Sequence, residues 1–330
     1  MAAAQTAGFL DGKAILVTGG TGSFGRAFVG SLLAEPGVRR VVVFSRDELK
    51  QWEMQQQYGK EPRLRFFIGD VRDHMRLRRA FSGIDIVVHA AALKQIPATE
   101  YNPFEAVRTN IQGAENIISA AIDEGVAQVI ALSTDKASSP INLYGATKLV
   151  SDKLFVAGNA YAADKRTRMA VVRYGNVLGS RGSVISHFRA LAPTGTLPIT
   201  DPRMTRFWIT LRQAVHWVRV GLARMHGGEI FVPKLPSMKT IDLARAIAPD
   251  ARIEVVGIRP GEKLHEEMIS VESARHTLDV DDHYVIQPDV DWWLRGRLEG
   301  KPLPEGFSYA SNTNTEWLDV DQLREIVATL

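Results

Sequence analysis

Glycines at 19, 22 and 25, within the segment TGGTGSFG at residues 18–25, constrain this chain more than any other feature. A short apolar run at 13–18 precedes them and reads as a buried strand, and helical spacing follows at 24–34. The Gly-x-x-Gly-x-x-Gly spacing is a variant of the dinucleotide fingerprint. Glycine lets the backbone come close to a pyrophosphate, and the free N–H groups of the following helix favour an anion. A glycine loop alone is also an ordinary tight turn, but a strand before it and a helix after it favour the cradle. Its candidate residues are Gly19, Thr21, Gly22, Ser23, Phe24 and Gly25.

Further apolar, β-branched runs recur at 41–44, 64–68, 84–89, 128–132 and 170–173, with another at 229–232. Helical patterns separate most of them, as at 103–124 and 144–161. This alternation predicts an α/β fold, a Rossmann-like doubly wound parallel sheet with helices on both faces. Past residue 179 the pattern loosens around Pro193, Gly195, Pro198 and Pro202. It turns helical again at 211–225 and from Thr240, where Thr240 and Asp242 are available as caps. The expected division is a nucleotide-binding domain at 1–180, to which 207–235 returns, and a smaller substrate-binding lobe from 181–206 and 236–330.

The 330 residues are 45% hydrophobic and 23% charged and contain no cysteine, which excludes disulfides, thiolate nucleophiles, iron–sulfur clusters and cysteine-ligated zinc. Residues 1–12 carry no signal-peptide pattern, and no apolar run of about 18 residues occurs, so a soluble cytoplasmic protein without a membrane partner is expected. His265-Glu266-Glu267 lacks the second histidine of a zincin helix, and His187, His216 and His226 have no ligand spacing, so no metal is expected. Net charge is only +3. The densest basic patch, Arg72, Arg76, Arg78 and Arg79, has no interleaved aromatics and reads as a solvated helix face, not a nucleic-acid site. Trp292 and Trp293 read as packing residues.

At the end of the second strand, Ser45 and Arg46 stand where an acid would bind a ribose 2′-hydroxyl. A hydroxyl and a cation suit a 2′-phosphate, so the reading prefers NADP; the alternative leaves Arg46 a surface residue. Residues 45–48, SRDE, fit a capping box that puts Asp47 and Glu48 in a first helical turn. Asp70, followed by Val71 at the end of the third strand, either contacts adenine or caps a helix. The small residues at 89–92, Ala90 and Ala92 among them, let the fourth strand pass close to the nicotinamide side. His89 reads as a packed strand residue.

The segment STDKASSPINLYGATK at 133–148 carries the chemistry. Tyr144 and Lys148 are four apart and share a helix face. A phenol beside an ammonium ionises below its reference pKa of about 10, which makes the pair a proton acceptor for an alcohol. Asp135 and Lys136 add an acid and a base that alcohol oxidation alone does not need. Their position at the carboxyl end of a parallel strand favours a site over a solvated loop pair.

Residues 18–25 and 89–94 and the Tyr144-x-x-x-Lys148 pair resemble the extended short-chain dehydrogenase/reductases that act on nucleotide sugars. Segments 132–149, 173–183, 204–211 and 257–268 are most similar to the UDP-N-acetylglucosamine 4,6-dehydratases of the C5-inverting kind, which begin pseudaminic acid synthesis; Gln95 and Ser186-His187 depart from that pattern. The resemblance implies a lyase acting on UDP-N-acetylglucosamine, a tightly bound NADP recycled at each turnover, and a homo-oligomer. It implies that Tyr144 takes the C4 hydroxyl proton, while Lys148 lowers the tyrosine's pKa and holds the nicotinamide ribose. Water is then lost across C5 and C6, and C6 is reduced. Asp135 is the candidate acid and Lys136 the candidate base at C5, which needs a lowered lysine pKa. Lys94 either supplies the neighbouring cation or contacts the sugar, and Thr134 either bonds the C4 oxygen or closes the turn. Asn176 is placed to meet the substrate, with Val177 beside the nicotinamide. Arg259 is a bidentate phosphate ligand and Glu262 an acceptor for ribose hydroxyls; Arg206 is a second phosphate ligand or a surface ion pair.

Rival readings are a UDP-hexose 4-epimerase, which uses Tyr144 and Lys148 without elimination, and a C5-retaining dehydratase. A non-enzymatic NADP-binding sensor on the same fold is the third, and the presence of Tyr144 and Lys148 argues against it.

Overall fold

The computed structural model describes residues 8–162, 166–179, 184–290, 293 and 299–329. Trp292 and the end of the 173–183 segment lie outside them. Six strands, β1 (Ala14–Thr18), β2 (Arg40–Ser45), β3 (Leu64–Ile68), β4 (Ile86–His89), β5 (Gln128–Thr134) and β6 (Arg168–Tyr174), pair in parallel in the order β3-β2-β1-β4-β5-β6. β1 and β4 are buried at every position, as strands covered on both faces must be. The winding reverses between β1 and β4, which opens a crevice outside their carboxyl ends.

The helices α1 (Ser23–Leu33), α2 (Glu48–Tyr58), α3 (His74–Phe81), α4 (Ile96–Tyr101), α5 (Pro103–Ala106), α6 (Gly113–Glu124) and α7 (Leu143–Tyr161) connect these strands. The helix expected at 103–124 is interrupted by a π turn, Val107–Gln112. The interruption turns Asn110 inward, where its side chain accepts from Leu93 N at 2.9 Å and donates to Leu93 O at 2.9 Å and to Thr147 Oγ1 at 3.0 Å. It thereby clamps the chain leaving β4 against α7. The basic patch is largely paired: Arg72 bonds Asp70 and Glu105, Arg78 bonds Glu124, and the Arg76 guanidinium lies over Phe67.

Beyond β6 the chain forms β7 (Asn176–Val177), α8 (Val184–Leu191), β8 (Thr196–Ile199) and β9 (Thr205–Ile209). It then returns through α9 (Leu211–Arg224), which packs on α1, to β10 (Ile230–Pro233), parallel to β6. There follow β11 (Ser237–Lys239), α10 (Thr240–Ile247), β12 (Arg252–Val255), β13 (Glu267–Ile269) and α11 (Val271–Ala274). β14 (Thr277–Val280), β15 (His283–Ile286), β16 (Lys301–Pro302), β17 (Tyr309–Ala310) and α12 (Val320–Ala328) complete the described elements. Lys239 occupies the cap position of α10 with no side-chain hydrogen bond, so neither Thr240 nor Asp242 caps it as expected: the helix begins at Thr240 itself.

β15 adds antiparallel to β10, with β14 and β16 beyond it, so residues 277–286 extend the large sheet although the expected division puts them in the second lobe. A second, smaller core gathers Leu178, Phe188, Leu197, Trp208, Leu243 and Leu323. It joins α8, α10 and α12 to the small sheet β11-β9-β7. Among the described residues no helix is long and apolar enough to cross a membrane, and no group of three or more His, Asp or Glu is placed to hold a metal ion.

Candidate active site

A cleft of about 740 Å3 lies outside the carboxyl ends of β1 to β6 and is closed on one side by Val184 and Ile185 of the second lobe and by Trp208, which packs in the second core although the expected division gives it to the first domain. All six glycine-loop candidates line it, as do Ser45, Arg46, Asp70, Val71, Ala90, Ala92 and Val177. A Cβ on Gly25 would stand 2.5 Å from Gly19 O, so only glycine lets α1 start against the loop. Gly22 caps α1 with no side-chain hydrogen bond, so no capping side chain stands between the helix N-terminus and an anion. The loop therefore fits a dinucleotide.

The capping box expected at 45–48 does not form. Ser45 is still in strand β2, paired with Ile68, and the helix starts three residues later. Asp47 is the cap, accepting from Lys50 N at 2.9 Å, while Ser45 Oγ bonds Thr21 Oγ1 at 2.8 Å. Arg46 remains 53% exposed and lies 3.3 Å from Asp70. Asp70 does not cap α3; Asp73 does, accepting from Arg76 N at 2.9 Å. Burial works to raise the Asp70 carboxyl, but the hydrogen bonds from Arg72 and the charge of Arg46 bring it below the ordinary value.

β5 ends at Thr134 and passes into a single 3-10 turn, Asp135–Ala137, before Asn142 starts α7. The Asn142 side chain accepts from Gly145 N at 2.7 Å and donates to Gly261 O at 2.7 Å, which ties the helix start to the second lobe. A Cβ on Gly145 would lie 2.2 Å from Lys136 O, so α7 sits directly on the turn. The result is that Thr134, Lys136, Tyr144 and Lys148 all face the cleft, with Asp135 fully buried behind Lys136. Lys136 Nζ donates to Asp135 Oδ1 at 3.0 Å, lies 3.2 Å from Glu266 Oε1 and reaches Asn176 Oδ1 at 3.4 Å. Thr134 Oγ1 donates to Asp135 Oδ1 at 2.9 Å. His89 is a packed strand residue bonded to Thr18 Oγ1 at 2.8 Å; burial takes its pKa down to about 3, so it is neutral.

The electrostatics differ from the expected pattern. Burial pushes the Tyr144 phenol up to about 12, and the cation that opposes this is Lys136, not Lys148. Burial lowers Lys148, while Asp152, one turn further along α7, raises it. Burial would also lower Lys136, but Asp135 and Glu266 hold its ammonium well above the ordinary lysine value. The cation that works against them is Arg206, not Lys94. Lys94 is itself lowered by burial.

Of the expected substrate residues, Lys94 and Asn176 line the cleft, while Arg206, Arg259 and Glu262 do not. Arg206 is held by the carbonyls of Thr205, Lys263 and Leu264. Arg259 is 60% exposed, 3.9 Å from Glu262. Two groups at the site escaped sequence reasoning. Tyr174 lines the cleft at the end of β6 and is raised by burial. Glu266 meets Lys136 from far along the chain, and its only sequence signal was a histidine-acid cluster of the wrong spacing for zinc.

Residues 15–288 match the model of the family described as polysaccharide biosynthesis protein. A UDP-N-acetylglucosamine 4,6-dehydratase (inverting) of Campylobacter jejuni subsp. jejuni serotype O:2 is 51% identical over 325 residues, 96% of this chain and 97% of that protein. A UDP-glucose 4-epimerase of Rickettsia conorii is 40% identical over 336 residues, 98% and 97% of the two chains. Among solved structures, DesIV (dTDP-glucose 4,6-dehydratase) from Streptomyces venezuelae with NAD and TYD bound superposes with a TM-score of 0.68 at 26% identity, covering 76% of this chain and 86% of that one.

Proposed function

The chain belongs to the polysaccharide biosynthesis protein family, within the extended short-chain dehydrogenase/reductases, and from that premise we propose that it is a UDP-N-acetylglucosamine 4,6-dehydratase that inverts C5. The product is a UDP-2-acetamido-2,6-dideoxy-hexos-4-ulose, a first step towards pseudaminic acid. One observation carries the reading: an alcohol-oxidising pair, Tyr144 and Lys148, shares a cleft with a second proton-handling group, Lys136, backed by two carboxylates.

Tyr144 accepts the C4 hydroxyl proton, and the Lys136 charge and the hydrogen bond with Thr134 ease its ionisation against burial. Bound in the cleft, a nicotinamide nucleotide supplies the hydride acceptor and donor. Lys148 stands on the same helix face as Tyr144, four residues on, to hold its ribose. The C4 ketone acidifies the C5 hydrogen, which Lys136 takes in its neutral form; the Asp135–Lys136 pair protonates the leaving C6 oxygen. Once the hydride has returned to C6, C5 regains a proton exchanged with solvent on its other face. Lys94 and Asn176 line the cleft and orient the sugar. Arg259 and Glu262, outside the cleft on the second-lobe loop that Arg206 supports, are the proposed contacts for the diphosphate and ribose. The second lobe, without residues 277–286 and 301–302, which extend the large sheet, is proposed to serve the sugar nucleotide, and 1–180 with 207–235 the cofactor.

NADP is the preferred cofactor: Ser45 and the half-exposed Arg46 line the cleft at the end of β2, where a hydroxyl and a cation suit a 2′-phosphate. Exposed Tyr101 and Phe104 on neighbouring helices support a homo-oligomer. The cytoplasm, where nucleotide cofactors are available, is the proposed location. The epimerase reading is favoured by the name of the Rickettsia relative. Incubation with UDP-N-acetylglucosamine separates the two: water loss by mass and a C6 methyl signal by proton NMR support the dehydratase, and unchanged mass supports the epimerase.

A further inference from the structure

Glu266 stands just before β13 in the second lobe and is 2% exposed. Its Oε1 lies 3.2 Å from Lys136 Nζ and 3.7 Å from Arg206 Nε, so one buried carboxylate oxygen serves two cations. Its Oε2 has no hydrogen-bond partner among the described residues. The backbone is pinned: Glu266 N donates to Ser311 Oγ at 2.9 Å, and Ser311 N donates to Glu266 O at 2.8 Å. Arg206 is pinned in turn by three carbonyls. The charge is therefore held at a fixed distance from a lysine on the opposite wall of the site.

The charged and titratable groups facing Lys136 are few. Asp135 adjoins it on its own turn and Tyr144 faces it from α7. Glu266 and Arg206 face it from the second lobe, with Lys263 on the same loop. Asp135 is shared with the Thr134 hydroxyl, and Glu266 is the carboxylate within ion-pair reach of both Lys136 and Arg206, while Lys263 also feels Glu267 and Asp135.

We propose that Glu266 is a positioning residue for the dehydration, which keeps Lys136 an ammonium in the resting site and so sets the pH at which that lysine becomes a base. This rests on the proton-handling role given to Lys136 above. An opposite charge at this distance is worth about one to three pH units, and removing it leaves Lys136 facing Arg206 with one compensating charge fewer.

The test is Glu266→Gln, read in two ways. The first needs no substrate. The Lys136 side chain is titrated by NMR in protein labelled at lysine carbons, its signal identified by its loss in Lys136→Met. The lysine is expected to titrate about one to three pH units lower in Glu266→Gln than in the parent protein, while Glu266→Asp keeps the parent behaviour. An unchanged titration in folded Glu266→Gln overturns the proposal. The second reading is the pH profile of C5 deuterium uptake, whose rising limb is expected to move to lower pH by the same amount. Loss of uptake at every pH, with the titration unmoved, assigns Glu266 to packing and overturns the proposal as well. Should the amide variant not fold, Glu266→Ser, which leaves room for water, carries the same expectation. A parent protein that releases no water from the sugar refutes the proposed function, and the titration still judges Glu266.

Discussion

Tyr144 sits in the cleft with its phenol pushed up to about 12 by burial, so it needs the positive charge around it to work near neutrality. Tyr144→Phe removes the proton acceptor without changing shape. Turnover is expected to fall about 10²- to 10⁴-fold with the thermal unfolding midpoint unmoved, as steady-state kinetics and calorimetry will show. Lys136→Ala is expected to abolish deuterium uptake at C5 while bound nicotinamide is still reduced, read by its absorbance, though more slowly because the Tyr144 phenol loses the charge that eases its ionisation. The pH dependence follows from the sign of the Lys136 shift. Two carboxylates hold it above the ordinary lysine value, so the neutral base is scarce at neutral pH and grows as pH rises. C5 exchange is expected to climb about tenfold per pH unit through the neutral range, and a plateau there would assign the proton to another group. Spacing in the sequence names Asp135, Lys136, Tyr144 and Lys148 because they lie on one strand end and one helix turn. It says nothing of burial or of Glu266, so both pKa expectations for Tyr144 and Lys136 came out with the wrong sign.

The elements position these groups through close backbone contacts. At Gly145 a Cβ would stand 2.2 Å from Lys136 O. Gly145→Ala is expected to cost about 1–3 kcal/mol and to push the Asp135–Lys136 turn aside, which lowers turnover while cofactor affinity persists. Denaturant unfolding and a fluorescence titration with nicotinamide nucleotide check the two halves. Asn142 both caps α7 and bonds Gly261 O. The strands and long helices were legible because apolar runs and 3.6-residue spacing are local signals. The π turn at Val107–Gln112 was not, since the need to turn Asn110 onto Leu93 is a tertiary demand. The caps at Asp47 and Asp73 were missed for a related reason: with several acids and hydroxyls in a row, the exact helix start decides which one caps.

Across the whole molecule, the site depends on two lobes meeting over one sheet. Asp152 on α7 accepts from Ser133 at 2.7 Å and from Arg173 at 3.1 Å, and Arg173 donates on to Met268 O at 2.9 Å in the second lobe. Both partners of this ion pair are buried, so Asp152→Ala leaves an uncompensated guanidinium and is expected to cost about 3–5 kcal/mol in denaturant unfolding. The alternation of strands and helices made the parallel half of the sheet readable. The antiparallel addition of β14–β16 was not, because short hairpin strands late in the chain carry no crossover helix to announce them. The central claim is that this cleft removes water from a nucleotide sugar through a proton exchanged at C5. Purified protein is incubated with UDP-N-acetylglucosamine in deuterated water, and the product is read by mass and proton NMR. Loss of one water with deuterium at C5 is the predicted result; a product of the substrate's own mass, or a dehydrated sugar with its original C5 hydrogen, would contradict it.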